Sequence, residues 1–389
     1  MKEPIKIILI GNYLKDQQES MIKFANMLNS GFHDAGYNVE IWKPVVFFGK
    51  LFSSTQSGIG KWFGYIDKWL LFPLIIQYRL RKKVKMQGMH FHVCDHSNSP
   101  YLKYLPIQRT AITCHDVLAI RGAFGYVDAY CPSSRMGKIL QKWIFRNLIK
   151  AKLIASVSQT TLRQLIEISG KDNGGKKEWK VIYNSYNADF YAMDKREQHE
   201  VLKGADINYE KPFILHVGSS LLRKNRQLLF EMVSLLGDKW DGNIYFAGDP
   251  PSRIETEQAV KFNLTERVKF VIKPDHQTLV ALYCACDALI FPSFSEGFGW
   301  PVIEAQACGA TVIASNVEPM PEVSGGAALH AKPQSAQEFA DAFVALKDYS
   351  LRMELKENGF QNASRFNQST MIKKYLQLHG LKKQNDYVT

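Results

Sequence analysis

The sequence has few of the features that mark membrane-spanning or secreted proteins. Its six cysteines form no C-x-x-C pair, which argues against a zinc site and against a disulfide framework. Its longest apolar run, residues 69–76, is far shorter than the roughly twenty residues that a transmembrane helix needs. The first residues enter a strand-like run directly and show no signal-peptide cleavage site. We therefore expect a cytoplasmic protein without a transmembrane helix.

Acidic residues are scarce in the first half of the chain. Residues 1–200 contain 29 Lys and Arg against 16 Asp and Glu, whereas the remainder contains 20 against 21. The whole net charge of +12 therefore comes from the first half. A nucleic-acid-binding protein could show this excess, but the sequence contains no recognisable nucleic-acid module. We expect no nucleic-acid partner and favour an anionic membrane surface as the partner of the basic half.

Strand-like and helix-like segments alternate along almost the whole chain, which predicts an α/β protein with parallel sheets. The first unit is "IKIILIG", a helix that begins after Ser20 and ends at Gly36, and "YNVEIW". A polar, irregular stretch near residues 188–211 indicates a domain boundary. We predict one domain over residues 1–200, a second over 201–370, and a C-terminal helix within 371–389 that crosses back to the first domain.

Two carboxylates flank a glycine-rich loop in "FPSFSEGFGWPVIEAQACG", residues 291–309. "ALIFPS" predicts a strand, and Pro301 suits the first position of a helix. The start of such a helix has unpaired N–H groups that can bind phosphate. Glu304, close behind, can accept hydrogen bonds from two neighbouring hydroxyls, as on a ribose. Together with Glu296 before the loop, the pattern indicates a ligand with both phosphate and sugar.

The stretch "PSFSEGFGWPVIEAQACGATVIASNVEPMPEVSGGAAL" resembles the signature of the retaining glycosyltransferases of family 4. "TCHDV", "SVSQTTL", "VIYNS" and "HVGSSLLRKN" add to the resemblance across most of the chain. The resemblance implies the GT-B fold of two facing Rossmann-like domains, with the nucleotide sugar bound by the second. It also implies a nucleotide diphosphate sugar as donor, no cofactor and no metal ion.

The resemblance assigns roles to the residues around the glycine loop. It implies that Glu296 contacts hydroxyls of the donor sugar and that Glu304 holds the ribose. The backbone of Gly297, Phe298 and Gly299 is expected to approach the diphosphate.

A second candidate donor segment is "HVGSSLLRKN", where a strand ends at Gly218 and Arg223 and Lys224 open a helix. Cations at this place can neutralise the charge that develops on a departing diphosphate. Many relatives carry an arginine directly after the glycine, whereas this chain has Ser219 there. Lys224 is therefore the preferred catalytic cation, with Arg223 as a further donor-binding residue.

The first half contributes candidates at the ends of two predicted strands. His115 in "TCHDV" resembles the family histidine that lies over the donor sugar near the reacting carbon, and Asp116 is expected to orient it or to contact the acceptor. Asp95 and His96 in "CDHSNS" are further candidates for acceptor binding. A structural hydrogen-bonding role remains the alternative for each of these side chains.

Two segments bear on membrane binding. "KILQKWIFRNLIK" places basic residues at four-residue spacing, with Trp143 and Phe145 available to reach a lipid interface; these basic residues are Lys138, Lys142, Arg146 and Lys150. The alternative is a helix packed on the sheet with a solvated basic face. For residues 61–85, broken or bent at Pro73, we favour a buried core helix over one that lies on lipid.

These observations predict a retaining, metal-independent glycosyltransferase that transfers a sugar to a hydroxyl of a saccharide or lipid-linked acceptor, in the synthesis of a cell-surface polysaccharide or glycolipid. A nicotinamide-dependent oxidoreductase is an alternative, because Gly297-Phe298-Gly299 follows a strand and Glu318 lies about twenty residues later, although Val302 replaces the third glycine. A nucleotide-sugar-binding protein without transfer activity is the second alternative.

Overall fold

The computed structural model describes residues 5–55, 58–82, 88–170 and 178–383, which fall into two compact units. Unit 1 comprises Met1–Phe124, Ser133–Asn187 and Gln368–Thr389, and unit 2 comprises Gly125–Pro132 and Ala188–Asn367. The strands and helices are, in chain order, β1 (Lys6–Ile10), α1 (Glu19–Asp34), β2 (Asn38–Trp42), α2 (Gly58–Ile66), α3 (Phe72–Lys82), β3 (Met89–Val93), β4 (Thr110–Cys114), α4 (Leu118–Phe124), α5 (Arg135–Leu148), β5 (Leu153–Ser156), α6 (Gln159–Ser169), β6 (Glu178–Val181), α7 (Lys195–Gly204), β7 (Phe213–Gly218), α8 (Leu228–Leu236), β8 (Asn243–Gly248), α9 (Arg253–Lys261), β9 (Val268–Ile272), α10 (His276–Ala285), β10 (Ala288–Phe291), α11 (Trp300–Ala307), β11 (Val312–Ser315), α12 (Met320–Ser324), β12 (Leu329–Ala331), α13 (Ala336–Ala345), α14 (Tyr349–Ala363) and α15 (Gln368–Leu378).

The division between the units differs from the predicted boundary at residue 200. It falls after Asn187, because the following segment packs in unit 2, where the amide of Met193 donates to the Cys284 sulfur. The short segment Gly125–Pro132 also belongs to unit 2, where the Tyr130 ring stacks on Phe294 with centroids 4.4 Å apart.

Unit 1 has a six-stranded parallel sheet in the order β2-β1-β3-β4-β5-β6, with helices on both faces. The alternation of side chains along β1 shows how one strand serves both faces: Ile8 and Ile10 join one apolar cluster, and Ile7 joins the other. The first cluster includes buried residues of α3 and α5, and the second includes those of α1 and α15. Burial of both faces explains why the strands are continuous apolar runs.

Unit 2 repeats this architecture with a second parallel sheet in the order β12-β11-β10-β7-β8-β9. Its four central strands, β11, β10, β7 and β8, are largely buried, whereas the edge strands β9 and β12 are partly exposed. Helices α8 and α13 pack on the same apolar cluster. The prediction of an α/β protein built from two parallel sheets is therefore confirmed. Within the described ranges, no helix is both long and apolar enough to cross a bilayer.

Two helix boundaries differ from the sequence-based expectation. Helix α1 begins at Glu19 and is preceded by Gln18, so Ser20 lies inside its first turn instead of capping it. The C-terminal helix α15 begins at Gln368, before the predicted start at residue 371, and belongs to unit 1. Residues 384–389 of the predicted C-terminal segment lie outside the described residues.

The two candidate membrane segments also differ from expectation. Phe145 is buried and is not available to reach a lipid interface, whereas Trp143 is half-buried and packs edge-on against Trp69 with ring centroids 5.0 Å apart. The segment 61–85 is not simply a core helix, because Phe72 and other side chains on its inner face are buried while an outer face is exposed. Pro73 does not break it, since it occupies the first turn of α3 directly after a π-helical turn over Asp67–Leu71. Residues 83–85 lie outside the described residues.

Candidate active site

The donor-site candidates lie where the strand order of unit 2 reverses direction. β7, the first strand of the unit, has β8 on one side and β10 on the other. In open α/β sheets, ligands bind beyond the carboxyl ends of the strands at such a switch point. The loop after β7 carries Gly218, Arg223 and Lys224, and the loop after β10 carries Glu296 and the following glycines. The topology therefore brings together the two motifs that the sequence singled out separately.

Gly218, at the end of β7, has a backbone conformation that favours glycine. Its φ is +147°, and a Cβ at this position would lie 3.5 Å from Lys224 Cε. We predicted that Arg223 and Lys224 open a helix, but they lie in a single 3₁₀ turn over Leu222–Lys224, and α8 begins later, at Leu228. The turn ends because Asn225 adopts a left-handed conformation, with φ +53°, and donates from Nδ2 to the carbonyls of Pro292 and Pro333.

Glu296 is bound by both cations of that turn. Its Oε1 lies 2.6 Å from Lys224 Nζ, and its Oε2 lies 2.8 Å from Arg223 Nη1. Arg223 also donates to the Ser295 carbonyl at 3.1 Å, and its own carbonyl accepts the Phe294 amide at 2.8 Å. Backbone and side-chain contacts together therefore fix the loop after β7 relative to the loop after β10.

The charges in this cluster control its ionisation. Burial raises the pKa of Glu296, but Lys224, Arg223 and the Ser293 hydroxyl outweigh it and bring the pKa down to about 2. Burial lowers the pKa of Lys224, as does Arg223, while Glu296 opposes the shift. Glu296 is therefore ionised at neutral pH and can accept hydrogen bonds, but it does not serve as a proton donor. Ser293 was not identified from the sequence.

The glycine loop ends at the start of α11. Gly299 precedes the first residue of α11, Trp300, and has φ +99°, and a Cβ there would lie 2.6 Å from Met320 Cε. Only glycine fits this position, so the loop keeps its path into the helix. Phe298 is buried, with its ring 5.7 Å from that of Phe366, which anchors the middle of the loop. The backbone that is expected to meet a diphosphate is thus held from both sides.

Glu304 lies in the second turn of α11 and is buried. Its Oε2 accepts a hydrogen bond of 2.8 Å from the Tyr283 hydroxyl of α10. Burial raises the pKa of Tyr283 far above its usual value, and the Glu304 carboxylate adds to the shift, so the phenol stays a donor. Tyr283 was not identified from the sequence; the only available signal is that a tyrosine in an apolar helix needs a hydrogen-bond partner once it is buried.

A second buried ion pair supports the turn after β7. Arg226 Nη1 lies 3.3 Å from Glu255 Oε1, and Arg226 Nη2 donates to the Gly218 carbonyl. Glu255 is itself fixed at the start of α9 by a reciprocal capping box with Ser252. Arg226 was also missed, although it stands two residues after Lys224 in "LLRKNR".

In unit 1 the sequence-predicted polar residues meet at the corresponding switch point, between β1 and β3. Asn12, beyond β1, donates from Nδ2 to Asp95 Oδ2 at 2.6 Å and accepts at Oδ1 from Asn98 at 3.0 Å. His96 Nδ1 lies 3.3 Å from Asp95 Oδ1. Burial opposes the ionisation of Asp95, but His96, His115 and Ser97 outweigh it and lower its pKa. Asn12 and Asn98 are additions to the predicted set.

His115 follows β4 and is held by the backbone of the neighbouring strand. Its Nε2 lies 2.9 Å from the Cys94 carbonyl, which can only accept, so Nε2 carries the proton and Nδ1 is the acceptor. Burial lowers the pKa of His115, partly opposed by Asp95, and keeps the ring neutral. The Asp116 carboxylate accepts the Leu118 amide at 3.0 Å, so its direct contact is with the start of α4.

Known proteins share both the sequence pattern and the fold. Residues 197–362 match the family described as glycosyl transferases group 1. The matched segment lies within unit 2 and covers less than half of the chain. The match includes both loops of the candidate donor site, and it confirms the prediction of a glycosyltransferase made from the sequence motifs.

The relatives agree with this assignment. The chain is 27% identical to O-antigen chain mannosyltransferase B of Escherichia coli over 68% of each chain. In structure it is similar to sucrose-phosphate synthase of Thermosynechococcus elongatus, with a TM-score of 0.69, 20% identity, and 99% and 100% of the two chains covered. It is also similar to HepE of Anabaena in complex with UDP and glucose, with a TM-score of 0.69, 16% identity, and 96% and 98% covered. These structures confirm the predicted GT-B fold.

Proposed function

We propose that this glycosyltransferase transfers a sugar from a nucleoside diphosphate sugar to an acceptor hydroxyl, with retention of the anomeric configuration and without a metal ion. The observation that carries the proposal is the buried cluster of Lys224, Arg223 and Glu296 beyond β7 and β10. Two cations beside the glycine loop suit a ligand with several negative charges and a polar sugar.

The cations supply the charge stabilisation that the reaction needs. As the bond from the anomeric carbon to the diphosphate oxygen breaks, negative charge grows on the departing phosphate. Lys224 and Arg223 can share hydrogen bonds between Glu296 and that phosphate, and the amides of residues 297–299 add further donors. A metal ion is not required for this step, because the side chains already provide two positive charges.

Retention follows if the acceptor attacks from the face that the phosphate leaves. The acceptor oxygen then forms its bond to the anomeric carbon as the carbon–phosphate oxygen bond breaks. The proton of the acceptor hydroxyl passes to the departing phosphate oxygen, so the atoms balance without an enzyme base. Glu296, ionised at neutral pH, stabilises the positive charge that grows near the anomeric carbon and accepts a hydrogen bond from a sugar hydroxyl.

The remaining polar residues are proposed to bind the ribose, the donor sugar and the acceptor. Glu304, oriented by Tyr283, is proposed to hold the ribose hydroxyls. His115 is proposed to accept, at Nδ1, a hydrogen bond from a hydroxyl of the donor sugar, because its Nε2–H already donates to the Cys94 carbonyl. The cluster around Asp95 in unit 1, which includes His96, is the proposed acceptor-side counterpart, with Asp116 supporting it through α4.

The relative from Escherichia coli acts in O-antigen synthesis, as its name states. We infer an acceptor of the same general kind, a saccharide or a lipid-linked saccharide of a cell-surface polysaccharide or glycolipid. We therefore propose a cytoplasmic location, with peripheral attachment to the inner face of an anionic membrane. The basic first half of the chain is consistent with this location.

The test is a panel of UDP-, GDP- and ADP-sugars, with a mannose donor among them, read by release of the nucleotide with and without saccharide acceptors. One donor should give acceptor-dependent release, and the anomeric configuration of the product should match that of the donor. Lys224→Ala should abolish the release, whereas addition of EDTA should not. Inversion of configuration, or strict dependence on magnesium or manganese, would refute the corresponding part of the proposal.

The alternatives are weaker. A nicotinamide oxidoreductase is disfavoured by the family match and by Val302, which is buried where the dinucleotide fingerprint has its third glycine. A binding protein without transfer activity would show stabilisation by a nucleoside diphosphate but no release in any arm of the panel. The ionised Glu296 between two cations favours catalysis over binding alone.

A further inference from the structure

Unit 1 exposes a row of large apolar side chains along one helical segment. We call this row the apolar ridge; its members, with their exposed fractions, are Ile59 (70%), Trp62 (56%), Leu70 (63%), Leu74 (57%) and Tyr78 (57%). Single exposed apolar residues are common on protein surfaces, but a continuous row indicates an interaction surface.

The ridge follows from the geometry of the segment. Helices α2 and α3 are joined without a break by the π-helical turn Asp67–Leu71, so residues about four apart stand on one side of the rod. The opposite side is buried through Gly60, Gly64, Phe72 and Ile76. At about 1.5 Å per residue, the ridge from Ile59 to Tyr78 is roughly 30 Å long.

The exposed charged side chains of this helical segment are all positive. Within residues 58–82, the exposed charged residues are Lys61, Arg81 and Lys82. The acid in this segment, Asp67, is fully buried and accepts hydrogen bonds from the Tyr13 hydroxyl and from loop amides. The described segment 58–82 itself therefore exposes no carboxylate, and the neighbouring Asp16 carboxylate is paired with Lys68 at 2.8 Å.

The neighbouring helix extends the basic surface. Helix α5 packs against this segment through Trp143 and Trp69 and covers the same face of the sheet. Its outer side presents exposed basic residues without any acid between positions 135 and 150; these are Arg135, Lys138, Lys142, Arg146 and Lys150. An apolar row and a basic row thus lie on adjacent helices of one layer.

We propose that the apolar ridge and the basic row of α5 form one surface that lies in the interface of an anionic lipid bilayer. The ridge supplies apolar side chains that enter the boundary between head groups and acyl chains, and the cations meet lipid phosphates. Trp62 and Tyr78 are residue types that favour this boundary, because each has an apolar ring with a polar edge. Lys and Arg side chains can extend from the buried helix axis toward the head groups.

A second copy of the chain fits this surface less well than an anionic bilayer does. Two copies that met through this surface would bring two rows of cations together, and like charges across an interface oppose association. An anionic bilayer provides both the apolar layer and the opposite charge. The inference rests on the proposed membrane attachment and deepens it by naming the surface that binds lipid, and its experiment requires neither donor nor acceptor.

The experiment measures co-flotation of the full chain with vesicles of neutral lipid, and with vesicles that contain about one-third anionic lipid. The unmodified protein should bind the anionic vesicles at least tenfold more tightly. The ridge variant Trp62→Gln, Leu70→Gln, Leu74→Gln should lose at least tenfold of that binding at any salt concentration. Its matched control, Leu235→Gln, Ile254→Gln, Val260→Gln, changes three exposed apolar helix residues of unit 2 and should bind as the unmodified protein does.

The charge contribution is tested separately. Lys138→Glu with Arg146→Glu should weaken binding most at low salt, by about fivefold or more per residue, since one basic residue near an anionic surface contributes about 1 kcal/mol. Lys261→Glu with Lys269→Glu in unit 2 makes the same change in net charge and should have no such effect. Equal loss in both variants would show that net charge alone, and not this surface, determines binding.

Insertion of the apolar ridge into the bilayer can be measured separately, by quenching of tryptophan fluorescence. Of the seven tryptophans, all of which lie in the described ranges, only Trp62 has more than half of its surface exposed, at 56%. Brominated lipids should therefore quench part of the tryptophan fluorescence, and Trp62→Phe should remove that quenching while retaining most of the binding. The proposal is overturned if anionic vesicles are not bound, if the ridge variant binds as tightly as its control, or if the protein forms a dimer that the ridge variant disperses. None of these outcomes depends on whether the protein transfers a sugar.

Discussion

Removal of the charge of Glu296 tests the arrangement at the centre of the candidate site. In Glu296→Gln the side chain keeps its shape, but Lys224 and Arg223 lose the carboxylate that lies 2.6 and 2.8 Å away. Two largely buried cations then face each other without a counter-charge. The variant should fold, because the apolar clusters of unit 2 are unchanged, but its free energy of unfolding should fall.

The size of the effect follows from the pKa of Glu296. The environment moves this pKa from 4.5 to about 2, which corresponds to about 3 kcal/mol in favour of the ionised form at neutral pH. Because the folded pKa is lowered, this contribution is fully present above pH 4.5 and is lost as the pH falls toward 2. Glu296→Gln should therefore cost about 3 kcal/mol at pH 7, and the difference from the unmodified protein should shrink below pH 4.5.

A nucleoside diphosphate should reverse much of this loss. Its phosphates bring negative charge to the same cations, so the ligand should raise the thermal midpoint of Glu296→Gln more than that of the unmodified protein. The turnover number should nevertheless fall about ten- to a hundredfold, since the positive charge near the anomeric carbon loses its carboxylate.

Urea unfolding and thermal shifts with UDP, GDP and ADP measure these effects. Glu231→Gln, an exposed glutamate of α8, is the control and should change stability by less than about 0.5 kcal/mol. If Glu296→Gln is as stable as this control, or if the nucleotide stabilises it less than the unmodified protein, the cations are not the phosphate-binding groups.

Three further predictions test other parts of the protein. Lys224→Ala should lower the transfer rate at least about a hundredfold, as the loss of one donor to a developing oxyanion does elsewhere, while EDTA leaves the unmodified protein active; metal-dependent transfer would contradict this. Glu304→Ala should raise KM for the donor about ten- to a hundredfold with a smaller change in kcat, and Tyr283→Phe should do the same more weakly; a fall in kcat alone would contradict a ribose role. Burial lowers the pKa of His379 to about 3, and His92, whose Nδ1 lies 3.2 Å from His379 Nε2, is lowered as well. Stability should therefore be constant above pH 6.5 and should fall as the pH drops below it, by about 2 kcal/mol at pH 5 for His379 alone; urea unfolding of His379→Phe should show a shallower dependence on pH.

The sequence predicts the parts of this protein that depend on local patterns. The alternation of strands and helices predicts two α/β units, because each segment is long enough to show its own periodicity. The glycine loop predicts the path into α11, because Gly299 requires a left-handed backbone and Pro301 suits the start of a helix. Gly299 and Pro301 lie within a few residues of each other, so no tertiary information is needed to interpret them.

The sequence does not predict which side chains from distant segments meet. Tyr283 contacts Glu304 from a different helix, and Asn12 contacts Asp95 across 83 positions of the chain. The pairing of Glu296 with Lys224 likewise depends on β7 and β10 being neighbours, although two strands, β8 and β9, lie between them in sequence. Contacts of this kind are set by the order of the strands in the sheet, which periodicity does not encode.

The exposure of the helical segment from Gly58 to Lys82 likewise could not be predicted from the sequence. Its apolar residues are numerous on every side, so their pattern favours a buried helix, and the sequence-based expectation followed that pattern. In the fold one side packs on the sheet through Phe72 and Ile76, and the other side, with Leu70 and Leu74, remains exposed. Since the described part of unit 1 covers only one side of this helix, its second apolar side is available for a partner outside the chain, and the cations around it favour an anionic bilayer.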